Sequence, residues 1–353
     1  MRVRAFLHRS GTAAGAGAQH RGGGTMKTLP VRVSGTGLHL PPDVVTNHDL
    51  AAALDTSDEW IVSRTGIRER RRLADSRATS DMCEAAARPA LAAASVAAAD
   101  VDAIIVGTYT GDQPLPSTAL IVKEALGAHR ALPLDVTQAA CVNGVQAMLL
   151  GAHLLQTTAE TVLVIAADCA SRVTDPRDRT ARVFFGDAAA AVVLTRPSVP
   201  GTGLLGWDFG AELSYAVQIP AGGSRMPATA GTLENRGHYL EMNGRAVWDT
   251  ATRRLPESIL DAVGRAALSA GDIDHFFIHQ ANLNIINATV DKLGIPAHRA
   301  PITVDHLGNT GSAGVFTALH ESFSQGEVRP GDTYVMSAIG AGFQWGSLCL
   351  RHG

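Results

Sequence analysis

A chain of 353 residues, 46% of them hydrophobic and with a formal net charge of −3, suits a soluble globular protein of about two domain-sized units. With 30 Lys and Arg against 33 Asp and Glu it lacks the basic excess of a nucleic-acid binder, and no apolar run approaches the roughly 20 residues that span a bilayer. Cys83, Cys141, Cys169 and Cys349 show no metal-ligand spacing, so no metal is expected, and a reducing cytoplasm is the expected location.

Residues 1–26 stand apart. Arg2, Arg4, Arg9 and Arg21 occur there without an acidic residue, among many glycines and alanines. That composition fits either a transit peptide or a poorly ordered tail ahead of Met26, and Gly22-Gly23-Gly24 favours the tail. From Val31 to Leu38 the chain alternates as a strand, ended by Pro41-Pro42. A short helix through Leu54 follows, with Asn47 as its expected cap. Trp60 and Arg64, four residues apart, predict a surface cation–π pair on one helical face. Asp81–Ala98 reads as an alanine-rich helix containing Pro89.

The stretch Asp135–Gly144 carries an apolar run into small residues, then Cys141, then a helical pattern whose face holds Val145, Met148, Leu149, Ala152 and Leu155. A cysteine at a helix start meets the positive end of the helix dipole, which favours thiolate. Taken alone, a free cysteine more commonly just packs.

An internal echo changes the weighting. Asp100–Val106 has the form of Asp272–Ile278, and Thr161–Ile165 that of Thr333–Ser337, both 172 residues apart. Two apolar strands repeated at one spacing, alternating with helices, predict a duplicated α/β unit with sheets covered on both faces. The halves are 27–198 and 199–353, joined near Pro197–Gly203. A third match, Val136–Cys141 with Val304–Asn309 at an offset of 168, predicts that Cys141 and Asn309 open equivalent, facing helices. His279 ends the strand Phe276–Ile278, beside Gln280 and Asn282 and ahead of a helix over Leu283–Leu293. Singly, His279 could be a satisfied polar neighbour and Asn309 a cap for a helix over Thr310–Phe323. Together with Cys141 they form a nucleophile and two hydrogen-bond donors that could grip one oxygen, as an enolate requires.

From Met26 onward the chain resembles the β-ketoacyl-acyl-carrier-protein synthase III family of the thiolase superfamily. The motifs are Asp55–Arg71, Ala139-Ala140-Cys141, Asp175–Thr180, Phe184-Phe185-Gly186-Asp187, Met242–Arg245, His279–Asn282, Gly308-Asn309-Thr310 and Gly340–Gly346. The resemblance implies a duplicated, layered αβαβα fold with two mixed sheets. It implies Cys141 as the nucleophile that takes an acyl group from coenzyme A, with His279 and Asn309 holding a malonyl-type thioester as carbon dioxide leaves. The N–H groups of Cys141 and Ala341 would form the oxyanion hole. Trp60 with Arg179 would clamp the adenine of coenzyme A, Arg64 would lie near its phosphates, and Trp248, Asn282 and Leu115 would complete the substrate contacts. A homodimer is implied, with no cofactor beyond the coenzyme A thioester substrate.

The departures concern pocket and partner. Val142, Asn143 and Gly144 follow the cysteine where the family commonly has a small residue, glycine and an aromatic, Ile339 replaces a common phenylalanine, and Leu115 replaces an aromatic. All are expected to border the acyl cavity. Around the tunnel mouth Asp249, Asn284 and Asp291 stand at commonly basic positions, leaving Lys292, so attraction for an acidic acyl carrier protein is expected to be weak, or to use Arg253-Arg254. Two functions follow: decarboxylative condensation priming fatty-acid or specialised polyketide synthesis, or transfer of the acyl group to a hydroxyl or amine of a small acceptor. Asn309 argues for condensation.

Overall fold

The computed structural model describes residues 27–137 and 139–353, so the tail expected over 1–26 lies outside the described residues. Nine strands form the two main sheets. In the first, β1 (Arg32–His39), β2 (Ala103–Gly107), β3 (Leu132–Val136), β4 (Thr161–Cys169) and β5 (Asp187–Thr195) lie in the order β1-β5-β4-β2-β3. In the second, β6 (Gly203–Ala211), β7 (His275–Ile278), β8 (Thr333–Gly340) and β9 (Gln344–Arg351) lie in the order β7-β8-β9-β6. Both are mixed. β3, β2 and β4 pair in parallel, as do β7 and β8, while β5 and β1 in the first sheet and β9 and β6 in the second run antiparallel to their neighbours. Ala103 and His275 open β2 and β7, 172 residues apart, as Thr161 and Thr333 open β4 and β8.

Helices α1 (Asp58–Thr65), α2 (Thr79–Ala94), α3 (Thr118–Leu126), α4 (Asn143–Leu154), α5 (Gly244–Arg265), α6 (Leu283–Leu293) and α7 (Gly314–Ser324) cover and separate the sheets. The continuous apolar run of β4 resolves into two faces by the period of a strand. Val162, Val164 and Ala166 pack inward with Val145 and Met148 of α4, Val315, Phe316 and Leu319 of α7, and Met336 and Leu348 of the second sheet. Leu163, Ile165 and Ala167 face outward onto Met82, Ala86 and Ala90 of α2 and Val122 of α3. On the far side Phe276, Ile278 and Val335 pack against Leu255 and Ile259 of α5 and Ile285 and Ile286 of α6. The result is αβαβα layering with α4 and α7 at the centre. Glycines allow the outer helices to close on the sheets: a Cβ at Gly37 would lie 2.2 Å from Ala86 O, and one at Gly206 2.3 Å from Ala262 O.

Two local expectations shift. Thr46, not Asn47, caps the first short helix, because Asp49 three residues on completes a capping box with it. Asn47 is buried and donates to Asp58 Oδ1 and Ile67 O, both at 2.8 Å. The third repeat match does not hold as an equivalence of elements. Val304–Leu307 is a short helix where the first half has strand β3, and the tight turns opening α4 and α7 begin at Ala140 and Gly311, 171 residues apart. The counterpart of Cys141 is therefore Ser312.

Candidate active site

Cys141 sits in the 3₁₀ turn Ala140–Val142 that feeds α4. Ala140 takes φ 48°, a left-handed conformation uncommon for a residue with a Cβ. Two bonds hold the turn. The Ala139 N–H donates to Asn143 Oδ1 at 3.0 Å, and the Ser312 hydroxyl to Ala140 O at 3.1 Å. A Cβ at Gly340, the end of β8, would fall 1.9 Å from Ala139 O and 2.8 Å from Cys141 N. The second half's central strand therefore closes directly onto the cysteine turn.

The reciprocal contact comes from Asp168, which a 172-residue offset pairs with Gly340. Its Oδ1 accepts from the Thr108 hydroxyl (2.9 Å), the Tyr109 N–H (2.9 Å) and the Thr110 hydroxyl (3.1 Å), and its Oδ2 from the Ser312 N–H (2.6 Å). No cation pairs with this fully buried carboxylate among the described residues, and burial lifts its pKa to about 6. Asp168 thereby ties the first half to the turn that follows Asn309.

Asn309 is fixed from both sides. Its N–H donates to Phe184 O at 2.7 Å, and its C=O accepts from the Gly186 N–H at 3.0 Å. Its Oδ1 accepts from the Gly311 N–H at 3.0 Å, so the amide NH₂ points the other way, and the side chain shares a cavity with Cys141, close enough to pull its thiol pKa down. His279, at the end of β7, is 2% exposed, and neither ring nitrogen has a partner among the described residues. Its Nδ1–Cε1 edge lies against Gly314, where a Cβ would be 2.9 Å from Nδ1. Burial lowers its pKa to about 4, so the imidazole is neutral near pH 7.

Cys141, His279, Asn309 and Ala341 line one cavity of about 620 Å³ whose other walls include Phe185, Leu240, Val247, Leu255, Ile339 and Phe343. Protein surrounds the Cys141 sulfur, although the residue keeps some surface toward the cavity. Burial first, then the Asp168 charge, pushes the thiol to about 12 against the pull of its own N–H and the Asn309 side chain. This corrects the expectation of a resting thiolate. In so apolar a chamber, desolvation of the anion outweighs the helix end, and a base must take the proton as sulfur attacks.

Outside the cavity, the Arg179 guanidinium lies 5.5 Å from the centre of the Trp60 ring, so Trp60 stacks with Arg179 and not with Arg64 of its own helix. Asn282 and Asn284 donate to Arg64 O at 3.1 and 2.9 Å, joining α1 to the start of α6. Trp248 is partly exposed on α5, and Leu115 is 86% exposed, so neither lines the cavity of its own chain. Of the departures, Ile339 borders the cavity while Val142 and Asn143 are buried behind it. Sequence reading passed over Asp168, Ser312 and Tyr109, and gave Phe185 no role beyond its motif. The available signal was Asp168 itself, a carboxylate ending an otherwise apolar strand.

Two family models match, 3-oxoacyl-[acyl-carrier-protein] synthase III over residues 134–212 and its C-terminal counterpart over 263–352. A β-ketoacyl-[acyl-carrier-protein] synthase III of Symbiobacterium thermophilum is 43% identical over 331 residues, covering 93% of this chain and 100% of the relative. The chain belongs to the synthase III family. A relative of the same name from Alkalilimnicola ehrlichii is 40% identical, covering 91% of this chain and 99% of its own. The synthase III structure from Aquifex aeolicus superimposes with a TM-score of 0.83 at 34% identity, over 91% of this chain and 100% of that one. The priming β-ketosynthase of the R1128 polyketide pathway gives 0.85 at 30% identity, over 92% and 97%. Thiolase-type layering is thus common to this synthase III chain and its structural neighbours.

Proposed function

We propose that this condensing enzyme works through an acyl group carried on Cys141 and extended by a malonyl-type thioester. Acyl-coenzyme A enters first. As Cys141 Sγ forms its bond to the thioester carbonyl, neutral His279 takes the thiol proton, then returns it to the departing coenzyme A thiolate. The N–H groups of Cys141 and Ala341 receive the oxyanion of that step. In the second stage the bond between the malonyl Cα and its carboxylate breaks, carbon dioxide leaves, and the electron pair becomes an enolate. Its oxygen rests on the Asn309 NH₂ and the protonated nitrogen of His279. The enolate carbon attacks the acyl carbonyl, the Cys141 thiolate departs, and a β-ketoacyl thioester results.

The observation carrying this reading is the locked amide of Asn309: with Oδ1 committed to the Gly311 N–H, it presents a donor beside the sulfur. Transfer to a hydroxyl or amine has no use for that second donor. Neutrality of His279 supports the same reading, because only a neutral imidazole can serve as base in one stage and donor in the next. In the test, purified enzyme receives carboxyl-labelled malonyl-coenzyme A with and without an acyl-coenzyme A primer. Primer-dependent release of labelled carbon dioxide is expected; acylation without release, with product on an added alcohol or amine, would falsify condensation.

The reading includes a cytoplasmic homodimer, the latter supported by Leu115 standing exposed on its own chain. The relatives are named for an acyl carrier protein. For this chain the mouth is poorly charged for an acidic carrier: Asp249 pairs with Arg245 at 2.9 Å, and Glu212 lies 3.7 and 3.6 Å from Arg253 and Arg254. Those two arginines, offered above as an alternative docking surface, share Glu212, and Arg254 also pairs with Glu257 at 3.0 Å, so their attraction for an acidic carrier is reduced. A steep fall of carrier affinity with added salt would contradict weak steering.

A further inference from the structure

A second cavity, of about 330 Å³, shares Phe185 with the acyl cavity. Four arginines, Arg70, Arg71, Arg72 and Arg182, line it, and no carboxylate does. The nearby acids are occupied elsewhere. Asp187 accepts from the Leu73 N–H and from the Ser171 N–H and hydroxyl, Asp175 holds Arg236, and Asp75 pairs with Arg72 out in solvent. Glu69 comes no nearer to Arg71 than 3.9 Å.

Arg70 is 3% exposed. It donates to Val45 O (3.3 Å), Asn47 Oδ1 (2.8 Å) and Val183 O (2.6 Å), all uncharged acceptors, and its Nε has no partner among the described residues. The buried Nε of Arg71 is equally unpartnered, and Arg182 makes no ion pair among the described residues. Burial, and the Arg72 charge after it, pull Arg182 below the usual guanidinium range. Four like charges gathered in a concave, partly desolvated site, with Asp75 on Arg72 and Glu69 at 3.9 Å from Arg71 as their only ion-pair partners among the described residues, favour an anion that completes them. Guanidinium forks match phosphate oxygens.

We propose that this cavity binds a small phosphate-class oxyanion, with Arg71 and Arg182 as its principal donors and Arg70 as their buried support. It is separate from Trp60, Arg64 and Arg179, none of which lines it. It also touches the catalytic frame. Arg70 bonds to Val183 O two residues before Phe185, and its Cβ would be 3.0 and 3.1 Å from a Cβ at Gly186 and Gly308, which flank Phe185 and Asn309.

The test is calorimetric titration of the full chain with inorganic phosphate, in chloride of matched ionic strength. The wild type is expected to bind saturably at one site. An Arg71→Gln/Arg182→Gln variant should weaken binding at least about tenfold, the worth of one charge-assisted hydrogen bond, while Arg64→Gln leaves it within about twofold. If the double variant does not fold, Arg182→Gln alone is read the same way. Absence of saturable binding to wild type, unchanged affinity in the arginine variants, or loss in Arg64→Gln would each overturn the proposal. The last would place phosphate in the coenzyme A cleft. Because the readout is binding, its failure leaves the condensation reading untouched.

Discussion

Replacing Asp168 by asparagine separates electrostatics from hydrogen bonding at the join between the two halves. The amide oxygen can keep the bonds from Thr108, Tyr109 and Thr110, but its NH₂ then faces the Ser312 N–H, now bonded at 2.6 Å. Losing that charge-assisted bond costs about 1.5–3 kcal/mol. Against it stands relief of a buried charge: a pKa lifted from 3.8 to about 6 amounts to about 3 kcal/mol at neutral pH. The two nearly cancel there, so a single stability measurement is uninformative, whereas its pH dependence is not. With a folded pKa above the unfolded one, the contribution is fully present below about pH 3.8 and is lost as pH rises through about 6. Between roughly pH 5 and pH 7.5 the wild type should lose about 1.4 kcal/mol that Asp168→Asn does not. Urea unfolding of both proteins at those two pH values gives the double difference. Parallel pH slopes would refute the assignment of a buried, unpaired carboxylate at this join.

Asn309→Ala should still load an acyl group on Cys141 but lose about 10²–10³ in condensation rate, the usual cost of one oxyanion donor, read as carbon dioxide release from malonyl-coenzyme A. Gly340→Ala should abolish acylation, since the new methyl meets the backbone of Ala139 and Cys141, which no rotamer change relieves; intact mass after acyl-coenzyme A treatment reads it. His306 lies between Asp305 (2.8 Å) and Glu321 (3.2 Å), and Glu321 first, then Asp305, raises its pKa to about 9. His306→Ala should therefore be less stable than wild type below about pH 6.5, with the gap closing as pH rises through about 9; unfolding at several pH values measures it.

Buried strands announce themselves as apolar runs, which is why the 172-residue repeat and both central strands could be read directly. His279 and Cys141 were legible because each follows such a run. The offset of 168 failed because it set the segment leading into the cysteine turn, Val136–Cys141, against Val304–Asn309, most of which is the short helix Val304–Leu307, whereas the equivalent turns begin at Ala140 and Gly311; loop residues in duplicated halves need not keep step. The thiolate expectation failed for a different reason. A helix start is visible in sequence, but the depth of the sulfur and the approach of Asp168 are set by the other half of the fold. Local spacing likewise put Arg64 on the Trp60 ring, whereas the partner is Arg179, brought from more than a hundred residues away by its bond to Asp55 O at 2.6 Å. The arginine cavity was invisible because Arg182 reaches Arg70, Arg71 and Arg72 only after folding.

The central claim is that one sulfur, Cys141, holds the acyl group while Asn309 and His279 wait for the second substrate. Intact-protein mass spectrometry before and after adding malonyl-coenzyme A to acyl-loaded enzyme tests it most directly. The account predicts a single acyl adduct, absent in Cys141→Ala, that disappears from the wild type on addition of malonyl-coenzyme A but persists in Asn309→Ala. An adduct that survives in Cys141→Ala, or that malonyl-coenzyme A discharges equally fast from Asn309→Ala, would contradict it.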